Sequence, residues 1–325
     1  MNENRQATPV FLLSGFLGSG KTTLLRRLLD YCKAAGLQPA VIMNELGDAN
    51  LDGQLLGGEV PMAEMLSGCI CCTIRGDLGL EIGRLIDEHR PDIVFIESTG
   101  AANPMETLDG VTDAAMYKAI ELRGVITVVD GPELLERGRR GKGRTYKLMR
   151  EQIRCATLLL LNKADKLEPE QLVEAQQQLR ELNAHAPVTA TVRCAIDDWS
   201  WLDGHAMPGR PTRNRPSGHD EAGGHSHAHD HVMVVTHYWR RPISSTAFEA
   251  LLARLPDEIY RAKGIVTFSD TPSRFLFQYA YKESDFIRIE PQGQVNDVAV
   301  FIGEHFDKDE LMRELERLED TGEQA

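Results

Sequence analysis

The sequence predicts an α/β domain with a mainly parallel sheet, followed by a smaller α+β domain with an antiparallel sheet. Three observations carry this. From residue 9 to about 195, short and nearly continuous apolar runs alternate with helical stretches, as expected of strands buried on both faces by crossover helices. Residues 203–231 then break the pattern with Gly, Pro and His. Beyond them strands dominate and only two helical segments accompany them.

Taken in order, the apolar run PVFLLSG (9–15) enters a glycine-rich turn and then a helix over 21–36, with Gly36 as its C-cap. PAVIMNE (39–45) is the second strand. Amphipathic helices follow over 75–90 and 168–184, and further strands over 92–98, 124–130, 157–163 and 187–193. In the last third, strands are expected at 232–240, 265–270, 274–282, 286–291 and 298–303. A helix over 244–256 has Ser at its start as N-cap, and one over 307–320 has acids in its first turn. The domains are drawn at 1–202, 203–231 (a flexible His-rich linker) and 232–325. Trp199, Trp201 and Trp239 near the linker read as packing residues at the domain boundary. RAKG (261–264) or an exposed sheet edge could dock a client; equally, its basic residues could be plain surface.

The chain has 325 residues, 42% hydrophobic and 26% charged, enough for two cores and against global disorder. Its formal net charge of -13 disfavours nucleic acid and anionic membranes as partners. No basic region precedes the first apolar run, and no stretch is long and apolar enough to span a bilayer. A cytoplasmic location is expected, where thiols stay reduced. The six cysteines therefore read as ligands or redox groups before disulfides.

Gly15-Phe16-Leu17-Gly18-Ser19-Gly20-Lys21-Thr22 fits the phosphate-loop pattern G-x-x-x-x-G-K-[ST], between a strand and a helix. Its glycines allow the backbone to wrap a phosphate with N–H groups inward, and the helix N-terminus adds its dipole. Lys21 would reach the β- and γ-phosphates, Thr22 would offer a hydroxyl to Mg²⁺, and Thr23 would bond the α-phosphate. Asn162-Lys163-Ala164-Asp165 ends a later strand. Asp165 could accept the N1–H and 2-amino groups of guanine, a donor pair adenine lacks, so GTP is favoured. Asn162 would tie this loop to the phosphate loop, and the Lys163 stem would cover the base. Glu97, at the end of DIVFIE, is the acid for the Mg²⁺ shell, and Gly100 could bring its N–H to the γ-phosphate. No residue stands out to position the attacking water, so slow turnover is expected.

Cys69-Ile70-Cys71-Cys72 puts three thiols in four residues. Thiolates favour Zn²⁺ and similar ions; Co²⁺ and Ni²⁺ also fit such a site. Glu45 and Asp48 are candidate completing ligands. The alternatives are small buried hydrophobes or a redox pair. The cluster falls between the phosphate loop and Glu97, the interval that in P-loop GTPases responds to the γ-phosphate. GTP and metal could then set each other's affinity. His225, His227, His229 and His231 lie in HSHAHDH, either a weak auxiliary metal collector or a solvated linker.

GFLGSGKTTLL (15–25), NELG (44–47), GCICC (68–72), ESTG (97–100), NKAD (162–165), the His-rich linker and IYRAKGIVTF (259–268) together resemble the CobW family of P-loop GTPases, GTP-dependent metal chaperones related to the nickel-insertion GTPases. The resemblance covers nearly the whole chain. It implies a P-loop GTPase domain, slow GTP hydrolysis, Zn²⁺ or a similar ion at the Cys motif, delivery to a client metalloprotein, and roles for Glu45 and Asp48. Asp48 stands where the family more often has Glu, and Leu46 where Phe is common. A homodimer sharing metal through Cys69–Cys72 is compatible with the sequence. The rival readings are a zinc buffer or sensor whose affinity GTP biases, a regulatory GTPase with a structural Cys site, and a small-molecule kinase, which the NKAD loop argues against.

Overall fold

β1 (Thr8–Ser14) is followed by α1 (Lys21–Ala35), β2 (Pro39–Glu45), β3 (Met62–Leu66), α2 (Ile74–His89), β4 (Ile93–Glu97), α3 (Pro104–Ala115), β5 (Ile120–Asp130), α4 (Gly131–Arg140), α5 (Arg144–Arg154), β6 (Leu158–Asn162), a 3-10 turn (Ala164–Lys166), α6 (Pro169–Leu182) and β7 (Val188–Ala190). The computed structural model describes residues 7–45, 60–66, 74–141, 143–184, 186–197, 199, 202, 233–271, 273–280, 282–291, 295–303 and 306–321.

These seven strands form one parallel sheet in the order β3-β2-β4-β1-β5-β6-β7. Successive β1 residues point to opposite faces. Val10 and Leu12 pack with Leu78, Ile82 and Leu85 of α2 and Leu108 and Val111 of α3. Phe11 and Leu13 pack with Leu24, Leu25 and Leu28 of α1. Both faces need apolar residues, so the strand reads as a continuous run. The chain leaves β1 toward β2 on one side and later crosses to β5 on the other. The crevice at the carboxyl end of β1 is thus the switch point where open α/β sheets bind ligands.

The remaining elements are β8 (Met233–Tyr238), α7 (Ser245–Arg254), β9 (Ile259–Thr267), β10 (Arg274–Ala280), β11 (Glu283–Ile289), β12 (Val298–Gly303) and α8 (Lys308–Thr321). They build a five-stranded antiparallel sheet ordered β11-β10-β9-β12-β8. Ala262, Val266, Ala299 and Phe301 face Phe248 and Leu251 of α7 and Leu311 and Leu315 of α8. Ile265, Val298, Val300 and Ile302 turn the other way and join Ile120 and Leu122 of the first sheet. Period-two alternation thus assigns one face of this sheet to its own helices and the other to the N-terminal domain. Tyr238 clasps the junction: its hydroxyl accepts from Ile120 N–H at 2.9 Å and lies 2.9 Å and 3.0 Å from the carbonyls of Lys118 and Ile120. Burial pushes that phenol up to about 12.

Several sequence expectations are corrected. The strand expected at 265–270 begins at Ile259 and ends at Thr267. Arg261 and Lys263 hid its start by interrupting the apolar pattern. They are not a free client-docking surface: Arg261 pairs with Asp109 at 2.9 Å, and Lys263 pairs with Asp113, both on α3. The strand expected over 187–193 is only Val188–Ala190, because Arg193 and Cys194 take left-handed φ of 50° and 52° and turn the chain. Trp239 is not at the domain boundary; it packs edge-on against Phe248 inside the second core. Trp199 packs near Tyr31 against the first domain, with ring centroids 6.2 Å apart. Trp201 lies outside the described residues. Among the described residues no helix is long and apolar enough to cross a membrane.

Candidate nucleotide-binding site

The phosphate loop leaves β1 with Gly15 at φ 135°, Gly18 at φ 72° and Gly20 at φ 117°, conformations that favour glycine. Gly15 is also required by space, since a Cβ there would meet the Val128 carbonyl oxygen at 2.2 Å. Lys21, itself buried, directs Nζ onto the carbonyls of Gly15 at 3.0 Å and Phe16 at 3.4 Å. The loop therefore closes around a cation. Gly20 caps α1 without a side-chain hydrogen bond, which leaves the first-turn N–H groups suited to an anion. Ser19 Oγ is buried with no hydrogen-bond partner among the described residues. Thr23 is exposed on the first turn. These features fit a phosphate chain.

Glu97 ends β4 and is buried. Thr22 Oγ1 donates to its Oε1 at 2.9 Å. A hydroxyl and a carboxylate brought together beside a phosphate cradle are hard oxygen donors of the kind Mg²⁺ takes. Gly100 sits against the phosphate loop, where an added Cβ would lie 2.5 Å from Leu17 N.

Asn162 braces the base loop. Its Nδ2 donates to the Ser19 carbonyl at 2.8 Å, and its Oδ1 accepts from Cys194 N–H at 3.0 Å and Thr191 Oγ1 at 3.2 Å. Lys163 has a left-handed φ of 59°, and its Nζ pairs with Asp130 at the end of β5. Asp165 is exposed in the 3-10 turn, open to a planar ligand edge.

The sheet edge also places the strand ends that flank the Cys cluster in the sequence. Glu45 ends β2 in register with Leu66 of β3, and Met43 is in register with Glu97 of β4. The chain therefore departs for Cys69 from a strand end next but one to the Thr22–Glu97 pair. Cys69, Cys71, Cys72, Asp48, His225, His227, His229 and His231 lie outside the described residues. The described cysteines, Cys32, Cys155 and Cys194, are buried and form no disulfide.

Residues 9–190 match the CobW/HypB/UreG nucleotide-binding domain family. The chain belongs to this family. Residues 233–319 match the cobalamin synthesis protein cobW C-terminal domain. Among curated relatives, the zinc chaperone YjiA of Escherichia coli (strain K12) is 30% identical over 314 residues, covering 93% of this chain and 96% of the relative. The zinc chaperone CobW of Pseudomonas aeruginosa is 29% identical over 312 residues, covering 85% and 81%. The zinc-regulated GTPase metalloprotein activator 1 of Dictyostelium discoideum is 33% identical over 222 residues, covering 58% of this chain and 46% of the relative. The crystal structure of the Zn(II)-bound YjiA GTPase from E. coli aligns with 97% of this chain and 99% of that chain, at 25% identity and a TM-score of 0.44.

In this CobW-family chain, sequence reasoning overlooked the turn at Thr191–Cys194. Its hydrogen bonds hold Asn162 from the far side, and Cys194 Sγ also reaches the Gly20 carbonyl at 3.5 Å. Burial pushes the Cys194 thiol up to about 12, so it is an inert packing group rather than a nucleophile. Nothing in TVRCA announces this role. Phe16 was likewise unremarked, yet the Arg137 guanidinium lies 5.1 Å from its ring centroid, pinning the loop to α4.

Proposed function

We propose that the protein is a GTP-dependent metallochaperone. It binds GTP, hydrolyses it slowly, takes Zn²⁺ as cargo at Cys69, Cys71 and Cys72, and passes the ion to a client metalloprotein. The observation that carries this reading is the shared sheet edge, where Thr22 and Glu97 meet at 2.9 Å beside the strand ends that lead to the Cys motif. Two relatives named zinc chaperones, alike over most of their length, support zinc as the cargo.

The chain's residues divide the work as follows. The N–H groups of residues 15–22 bind the phosphates, with Lys21 Nζ exchanging its carbonyl partners for phosphate oxygens. Thr22 and Glu97 would hold Mg²⁺, which when bound neutralises charge on the β- and γ-phosphates. Asp165 accepts the two guanine N–H groups, the Lys163 stem covers the base, and Asn162 keeps that loop in register with the phosphate loop. Glu45 and Asp48 complete the cargo site. His225, His227, His229 and His231 raise the local ion concentration. Among the described residues no side chain is devoted to the attacking water, which supports slow turnover.

The test is Zn²⁺ affinity by chelator competition, measured with a GTP analogue plus Mg²⁺, with GDP, and without nucleotide. The reading expects a severalfold shift with nucleotide, abolished when Cys69, Cys71 and Cys72 become Ser and kept when the His tract is deleted. Equal affinity in every nucleotide state would leave a zinc buffer or a structural Cys site as the better account.

A further inference from the structure

Gln152 lies in α5 with 1% of its surface exposed. Its side chain serves a loop some fifty positions distant in the sequence: Nε2 donates to the carbonyls of Gly100 at 3.2 Å and Ala102 at 3.3 Å. Its main-chain carbonyl accepts from Thr127 Oγ1 of β5 at 2.9 Å, so this turn of α5 is anchored to the sheet. Both hydrogens of the amide are committed to carbonyls, which fixes its orientation.

The loop so held runs from Glu97 to Asn103, whose side chain accepts from Met105 N–H and caps α3. In its middle, Gly100 presses on Leu17 of the phosphate loop. Gln152 therefore sets the one stretch of chain that joins the Mg²⁺ acid, the phosphate loop and the start of α3. Its Oε1 is buried and accepts no hydrogen bond among the described residues. An apolar side chain of the same length would fill this place without an orphaned acceptor. An amide here has a further capacity: if a loop peptide turns, Oε1 can accept the N–H that the turn delivers. A loop with two hydrogen-bonded arrangements is what a γ-phosphate can select between.

We infer that Gln152 is a positioning residue for GTP hydrolysis, acting through the Gly100 peptide, and that it lets the 98–102 loop distinguish GTP from GDP. It does not touch the nucleotide. The inference rests on the GTPase reading above.

The experiment compares the full chain with Gln152→Met, which keeps the volume and removes the donors. It measures kcat and KM for GTP at saturating Mg²⁺, and the affinities of a fluorescent GTP analogue and of GDP. The expected result is a kcat at least tenfold lower and GTP-analogue binding at least threefold weaker, with GDP affinity within twofold. A kcat within twofold of the parent, or equal losses for both nucleotides, overturns the role and leaves the GTPase reading intact. A parent chain that binds GTP without hydrolysing it overturns both. Should Gln152→Met not fold, hydrogen exchange of the 98–103 amides in the parent decides: protection must differ between GDP and GTP analogue, and identical protection sinks the idea.

Discussion

Thr22 Oγ1 donates to Glu97 Oε1 at 2.9 Å, joining the second residue of α1 to the last residue of β4 across 75 positions of sequence. In the proposed Mg²⁺ site the two donors are thus held against each other before any ion arrives, which lowers the reorganisation needed on binding. Glu97→Gln keeps the shape and removes the charge. It is expected to lower kcat by roughly 100-fold and to raise the Mg²⁺ concentration needed for half-maximal turnover. A Mg²⁺ titration of hydrolysis checks this; an unchanged midpoint would assign the ion to another carboxylate.

Asn162 makes buried hydrogen bonds to Ser19, Thr191 and Cys194. Asn162→Ala leaves the Ser19 carbonyl and Cys194 N–H without this partner. The expected loss is about 2–3 kcal/mol of stability, together with weaker nucleotide binding. Urea unfolding with and without GDP separates the two effects, since a nucleotide that still binds tightly restores stability by mass action.

The domains are bridged by Arg261 to Asp109, whose side chain is only 3% exposed. Arg261→Ala removes the cation paired with that buried carboxylate and is expected to cost about 2 kcal/mol. Replacing both partners, Arg261→Met with Asp109→Asn, is expected to cost less than the single change, because no buried charge is then left uncompensated. Denaturant midpoints of the two variants give the comparison. The reverse order would mean that the carboxylate is adequately held without Arg261.

His237 is buried beside Trp239 and Glu319. Burial lowers its pKa, and this outweighs the attraction of the Glu319 carboxylate, which at 3.8 Å is beyond hydrogen-bond reach; Glu316 and Arg240 act more weakly and in opposite senses. The folded state therefore favours the neutral ring more than the unfolded state does. Its contribution is present above the unfolded value of about 6.5 and is lost as pH falls through the lower folded value. Between pH 7 and pH 5 the parent should lose more thermal stability than His237→Gln. Parallel melting curves for the two would contradict this.

The phosphate loop, the buried strands and the NKAD loop were legible because each is a local pattern whose chemistry demands particular residues in a row. Helix α3 was missed although Asn103, Pro104 and Glu106 form a start signal; Gly110 and the threonines within it weaken its propensity. Helices α4 and α5 were missed although both are amphipathic: they bury few apolar side chains, chiefly Leu134, Leu135, Met149 and Ile153, and are otherwise rich in charge, so no apolar run marks them. Strand β3 is short and among the described residues pairs with β2 alone.

The sequence by itself determined the parallel sheet, the glycine-rich loop between strand and helix that leads into Lys21 and Thr22, the acid Glu97 at a strand end and the family to which the chain belongs. These depend on residues near one another in the chain, whose spacing carries the chemistry. Only the tertiary structure decided that Arg261 and Lys263 serve the domain interface, that Thr191 and Cys194 hold Asn162, and that Gln152 reaches the Gly100 loop. Each of these is a contact between distant segments. It exists because folding buries a donor beside a particular acceptor, and nothing in the local pattern of either segment names the other.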